Sequence, residues 1–179
     1  MTRGIVVTTS PSTKDFLFAC LKSLSDKYDV LIVINDANNF PKTLELPDNL
    51  PLTTKIVKND WDGFELGGIL RGSEMFDEFV LLTDTCIVKN MELIDKMFEH
   101  EGSMSLCEGF HSYLGKFISS KLKEVDIPKV EDGDQSSYED MEWTSEYIAS
   151  DKNYRVFDPQ LTTVEGFREN DFIIKYDKI

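Results

Sequence analysis

Apolar positions in this chain follow two alternating rhythms. GIVVTT (4–9) and DVLIVIND (29–36) are near-continuous runs rich in β-branched residues, the pattern of a strand covered on both faces of a sheet. KIVKND (55–60) and EFVLLTD (78–84) predict a third and a fourth strand. Between them, DFLFACLKSLS (15–25), FELGGILRGSEMF (64–76) and NMELIDKMFEHE (90–101) space their apolar residues as helices do. Ser12 and Asp15 stand in capping-box spacing before the first helix, and Asn90 is placed to cap the third. ANNFPKTLELPDNLPL, with three prolines, reads as a loop.

The second half is less regular. SMSLCEGF (103–110) suggests a strand and GKFISSKLKEV (115–125) a short helix. KVEDGDQSS is an acidic, polar loop, and 126–138 is the best candidate for a subdomain seam. EDMEWTSEYIAS (139–150) forms an amphipathic helix with Met141, Trp143, Tyr147 and Ile148 available to the core. YRVFDP and the segments after it read as short strands. Strands alternating with helices through the first 100 residues imply βαβ units. The fold class is therefore α/β, with a mostly parallel, Rossmann-like central sheet flanked by helices.

Composition narrows this picture. At 179 residues and 41% hydrophobic, the chain reads as a single domain, 1–179, that buries roughly two-thirds of its unfolded surface. It has no run of about 18 apolar residues, so no membrane span is expected, and MTRGIVVTTS lacks a signal-peptide pattern. Cys20, Cys86 and Cys107 are odd in number and far apart, which argues for a reduced, cytoplasmic setting and against a zinc or disulfide framework. A net charge of −14 excludes nucleic acid as a partner, because phosphate contacts need a basic face.

Ligands of open α/β sheets bind at the carboxyl ends of the strands. Here the first strand ends in TTSPS with no glycine, and neither a G-x-G-x-x-G turn nor a Walker A loop is present. The strand ends offer hydroxyls and carboxylates instead: Thr8, Thr9 and Ser10 after the first, Asp36 after the second, Asp84 after the fourth. Three glycines in six positions, Gly67, Gly68 and Gly72, cost a helix about 1 kcal/mol each and point to close approach, to the sheet or to a ligand.

Three segments, taken in order, carry a resemblance. IVVTTSPS with its helix and VLIVINDANN, then FELGGILRGSEMFDEFVLLTDTC, then YEDMEWTSEYIASDKNYRVFDP, resemble the nucleotide-binding half, the Asp-x-Asp strand and the Glu-Asp helix of GT-A-fold, inverting family-2 glycosyltransferases. The resemblance implies a nucleotide-binding half (1–100) and an acceptor and catalytic half (101–179). It also implies transfer from a nucleotide-diphosphate sugar to a glycan or other hydroxyl acceptor. By the same resemblance, Thr8, Thr9, Ser10, Asp36, Arg71, Asp84 and Thr85 bind the donor, Asp36 at the base or ribose and Asp84 at the ribose and diphosphate.

Asp140 is implied as the general base that takes the acceptor hydroxyl's proton, with Glu139 as an acceptor or structural contact and Glu142 as its substitute if the register slips a turn. The bland alternative is acids favouring a helix N-terminus. His111 and Lys116 are implied near the acceptor or diphosphate, and Tyr113, Phe117 and Trp143 form either a sugar platform or core.

The pattern departs from the family where the last acid of the Asp-x-Asp element should stand, because Cys86 occupies that place. A thiol ligates Mg2+ or Mn2+ poorly. The usual late histidine is also missing, with Glu165 near its place, so an implied Mn2+ or Mg2+ site uses Asp84 and Glu165. Arg71, Lys89, Lys116, Arg155 and Arg168 are the candidates to offset leaving-group charge. Two other readings stay open: a catalytically silent nucleotide- or partner-binding domain, and a nucleotidyltransferase, against which the missing Gly-rich loop counts. The length is short for the family, which implies either a minimal version or a domain working beside another domain or chain.

Overall fold

A computed structural model describes residues 1–42, 48, 50, 53–107, 114–128, 133–158, 162–164 and 167–176, with the side chains of 64, 133–141, 162–164 and 167 outside the description. Among the described residues the elements are β1 (Arg3–Thr9), a 3-10 turn (Lys14–Phe16), α1 (Leu17–Ser23), β2 (Asp29–Ile34), β3 (Lys55–Lys58), α2 (Phe64–Met75), β4 (Glu78–Thr83), β5 (Cys86–Val88), α3 (Glu92–Glu99) and β6 (Met104–Ser105). They continue with β7 (Gly115–Ile118), α4 (Ser119–Leu122), α5 (Gly133–Ser150), β8 (Arg155–Val156), β9 (Thr162–Val164), β10 (Phe167–Glu169) and β11 (Ile173–Tyr176).

The central sheet has the order β3-β2-β1-β4-β7-β6-β8. β1 pairs in parallel with both β2 and β4, and β2 with β3. β7 runs antiparallel to β4 and β6, and β6 pairs in parallel with β8, so β7 alone is reversed. A second, antiparallel sheet has the order β5-β11-β10-β9. No described helix is long and apolar enough to cross a membrane.

Alternation along the strands divides the core. Ile5, Val7, Ile32, Ile34, Val80 and Leu82 face α1 and α3, where they meet Leu17, Leu21, Leu93 and Met97. Val6, Leu31, Val33, Phe79 and Leu81 face α2 and α5, against Leu66, Ile69, Trp143 and Tyr147. Both faces are covered, which is why the strands read as unbroken apolar runs. Phe117 and Trp143 are each 4% exposed and stack on one another in this second layer, so of the aromatic residues weighed as a sugar platform these two are core.

The three glycines of α2 lie against the sheet. A Cβ at Gly67 would stand 2.2 Å from Asn35 Oδ1, at Gly68 2.2 Å from Thr8 Cγ2, and at Gly72 2.7 Å from Phe79. The helix can sit this close only without side chains. Gly68→Ala gains about 1 kcal/mol of helix propensity but overpacks for about 1–3 kcal/mol. We expect a net loss of up to about 2 kcal/mol and a melting temperature lower by up to several degrees. A variant melting at or above the wild-type temperature would contradict the close approach.

Five expectations are corrected. The capping box does not form: Thr13 precedes the 3-10 turn with no side-chain cap, while Ser12 Oγ lies 3.0 Å from Ser10 Oγ and the Asp15 carboxylate accepts from the Lys14 ammonium. The predicted helix 115–125 begins as a strand, β7 paired along β4, and becomes helical only at Ser119. CIV after Asp84 is an unpredicted strand, β5. Helix α5 starts at Gly133, which makes Glu139 and Asp140 its seventh and eighth residues, beyond the first turn where the macrodipole acts. Asn90 falls one residue short of the cap position of α3, which is Met91 and has no side-chain cap; its Oδ1 accepts the Glu92 N–H at 2.9 Å from just outside the helix.

Candidate functional site

Strand order reverses between β1 and β4, since β1 leads to β2 on one side and has β4 on the other. The crevice outside such a reversal is the ligand position of open α/β sheets. Asp84 lies there. Its backbone N–H continues the pairing by donating to the Thr8 carbonyl at 2.9 Å, and its Oδ2 accepts the Thr9 hydroxyl at 2.6 Å. The carboxylate is 1% exposed, so hydrogen bonding of this kind is what makes its burial tolerable. The nearby Cys20 thiol is pushed well up, chiefly by burial, with Cys86 and Asp84 adding to it.

Other polar residues extend the same rim. Ser10 Oγ lies 3.0 Å from Ser12 Oγ and 3.2 Å from Thr13 Oγ1, while Thr8 turns its methyl toward α2. At the end of β2 the chain turns: Asn35 N–H donates to the Thr9 carbonyl, and Asp36 takes φ +50°, a region aspartate tolerates better than most residues. The Asp36 carboxylate accepts the Asn39 amide at 2.9 and 3.0 Å, so it organises its own turn. Beyond it, Arg71 Nε donates to Asn59 Oδ1 at 2.8 Å and Asn59 Nδ2 to Asn35 Oδ1 at 3.0 Å. Arg71 also pairs with Glu74. Thr9, Ser10, Asp36, Arg71 and Asp84 thus share the strand-end rim from β3 to β4.

On the other side of Asp84 the small sheet takes over. Cys86 pairs with Lys175 across β5 and β11, and the Lys175 ammonium donates to Thr85 Oγ1 at 2.6 Å and to the Tyr176 carbonyl at 2.8 Å. Lys175 is 6% exposed. Cys86 is fully buried, 3.5 Å from Thr83 Oγ1. Burial pushes its thiol up, and Lys175 only partly opposes this, so it stays protonated. A soft, protonated thiol and one carboxylate do not suit Mg2+ or Mn2+. Among the described residues no three His, Cys, Asp or Glu side chains gather to hold a metal.

Lys116 is not brought to this rim. It pairs with Val80 in β7, and its ammonium lies 3.4 Å from Glu78 and donates to the His100 carbonyl at 2.5 Å, toward the opposite end of β4. The cause is the strand at 115–118, where a helix was expected. Burial holds its pKa below the ordinary lysine value, against the pull of Glu78. Lys89 pairs with Glu169, and Arg155 donates to the Tyr154 carbonyl. His111, Tyr113 and Glu165 lie outside the described residues, and for Glu139 and Asp140 only the helix backbone is described.

No protein-family model matches the chain, and no curated protein matches it. The site therefore rests on its own geometry. Two of its features escaped the sequence reading. Asn35 and Asn59 could have been found, since IND and KND repeat an Asn-Asp pair at neighbouring strand ends. Lys175 could not, because its contact with Thr85 joins residues 90 apart.

Proposed function

We propose that this chain is a GT-A-type glycosyltransferase that moves a sugar from a nucleotide-diphosphate sugar to a hydroxyl acceptor with inversion. The observation that carries the reading is the Thr9–Asp84 pair at the reversal of strand order, where α/β sheets bind nucleotides. Asp36 and Asp84 lie at the same rim two strands apart, about 10 Å at ordinary strand spacing, a span that suits a nucleoside at one end and its diphosphate at the other. Asp36 meets the base or ribose, Asp84 the ribose and diphosphate. Asp140 takes the acceptor proton as its oxygen attacks the anomeric carbon, and Glu139 contacts the acceptor. If a Mg2+ or Mn2+ ion is used, Asp84 and Glu165, the latter outside the described residues, would hold it and it would offset charge on the diphosphate.

A second reading is a catalytically silent nucleotide-binding domain. It is favoured by the near-complete burial of Asp84 and by the thiol at position 86, an arrangement that a structural carboxylate would also show. One experiment bears on both. Melting temperatures are measured across a panel of nucleotide sugars, with release of nucleoside diphosphate followed in parallel. At 100 times the Kd a ligand stabilises by about 2.7 kcal/mol, a shift of several degrees. The glycosyltransferase reading predicts a shift with at least one donor and turnover with an acceptor. A shift without turnover supports the silent domain, and no shift with any donor contradicts both.

A further inference from the structure

The small sheet puts two cations side by side. Arg168 in β10 is directly opposite Lys175 in β11, and residues so paired project from the same face. Lys175 is buried among protein atoms, and Arg168 Nε is buried with no hydrogen-bond partner. Like charges at directly opposed positions are destabilising, and a buried charge needs a counter-charge. Among the described residues no ion pair joins either cation to a carboxylate.

Each cation instead lies against a thiol, Lys175 near Cys86 and Arg168 near Cys107. Burial raises both thiols above their ordinary value, so neither supplies negative charge. The carboxylates nearest these thiols are Asp84 and Asp158, which also accept the Thr9 hydroxyl and, at 3.0 Å, the Asn170 amide. Lys175 reaches Thr85 at the end of β4, and Arg168 reaches Cys107 just past the end of β6. Both therefore stand at the rim that carries Asp84. Two hydrogen bonds use two of the three ammonium donors of Lys175, and the Arg168 fork keeps Nε–H unspent.

We propose that Lys175 and Arg168 bind the diphosphate of the donor nucleotide, supplying the positive charge that a divalent cation gives in a site with hard oxygen ligands. The proposal rests on the nucleotide-sugar reading. The pair fits the chemistry: Arg offers a planar fork to phosphate oxygens, and Lys a point charge. As the sugar leaves, charge grows on the diphosphate, and both cations meet it with N–H donors already in place.

Calorimetric titration of the full chain with inorganic pyrophosphate and with UDP, GDP, ADP, CDP and dTDP, each in EDTA and in Mn2+, tests this. Wild-type affinity is expected to agree within about threefold between the two conditions, and Lys175→Met and Arg168→Met each to lose about tenfold or more, as for a charge-assisted hydrogen bond. Lys175→Arg, which keeps the charge, is expected to recover most of the loss. Binding that Mn2+ tightens by about tenfold or more overturns the proposal, and this comparison needs no variant to fold. Wild-type affinity in folded Met variants also overturns it, while leaving the nucleotide reading intact. Lysine-dependent pyrophosphate binding with no nucleoside diphosphate bound upholds the anion site and rejects the nucleotide reading. Failure of every probe to bind rejects both.

Discussion

Asp140→Asn is expected to lower sugar transfer by about 10²–10⁴-fold, the range that removal of a positioned general base produces. The amide has the size of the carboxylate and cannot take a proton. Position 140 is the eighth residue of an 18-residue helix, so the exchange disturbs no cap, and donor affinity is expected to change little. Loss in kcat at constant KM marks an interaction made only in the transition state. Glu142→Gln is the control, two residues on and exposed, and is expected to transfer at nearly the wild-type rate. The check is the initial rate of nucleoside diphosphate release with acceptor. Equal rates for Asp140→Asn and wild type would remove Asp140 from this role, and a collapse confined to Glu142→Gln would move the base two residues along the helix.

Asp84→Asn has the second largest expected effect, on binding. A hydrogen bond to a charged group contributes about 1.5–3 kcal/mol, so losing the charge is expected to weaken nucleotide-sugar affinity by about 10–100-fold. The fold should persist, because an asparagine oxygen can still accept the Thr9 hydroxyl that now lies 2.6 Å from Oδ2. Calorimetry and thermal melting together separate the two roles of this residue. Weaker binding with a nearly unchanged melting temperature is the expected pair of results. Unchanged affinity with a lowered melting temperature would make Asp84 a structural carboxylate and favour the silent domain.

What could be read in the sequence was what the chain encodes locally. β1, β2 and β4 are buried on both faces, and continuous β-branched runs say so directly. From them the rim follows, since parallel strands bring their carboxyl ends together, and Asp36 and Asp84 could be placed before any coordinates. The Gly67, Gly68 and Gly72 cluster signalled close approach, and the sheet is what approaches.

Errors came where the local signal was short or ambiguous. GKFISSKLKEV contains good helix formers, yet its first four residues pair with β4, and Gly115 takes φ +140°, which few other residues accept. The misread element carried Lys116 to the wrong end of the sheet. GDQSSY has no apolar stripe, so the early start of α5 left no periodic trace. The small sheet is built from strands of three and four residues, too short to show a period of two, and its pairings join distant parts of the chain. The Arg168–Lys175 pair is therefore a product of tertiary structure. Arg168 was visible as a cation, but its partner was not.

A crystal structure with the nucleoside diphosphate that most raises the melting temperature tests the central claim most directly. The account predicts the diphosphate across the strand ends of β1 and β4, within hydrogen-bond reach of the rim that holds Thr9, Asp84 and Thr85, with the nucleoside toward Asp36. A nucleotide seated at the opposite end of the strands, beside Glu78 and Lys116, or on any surface apart from the Asp84 rim would contradict it.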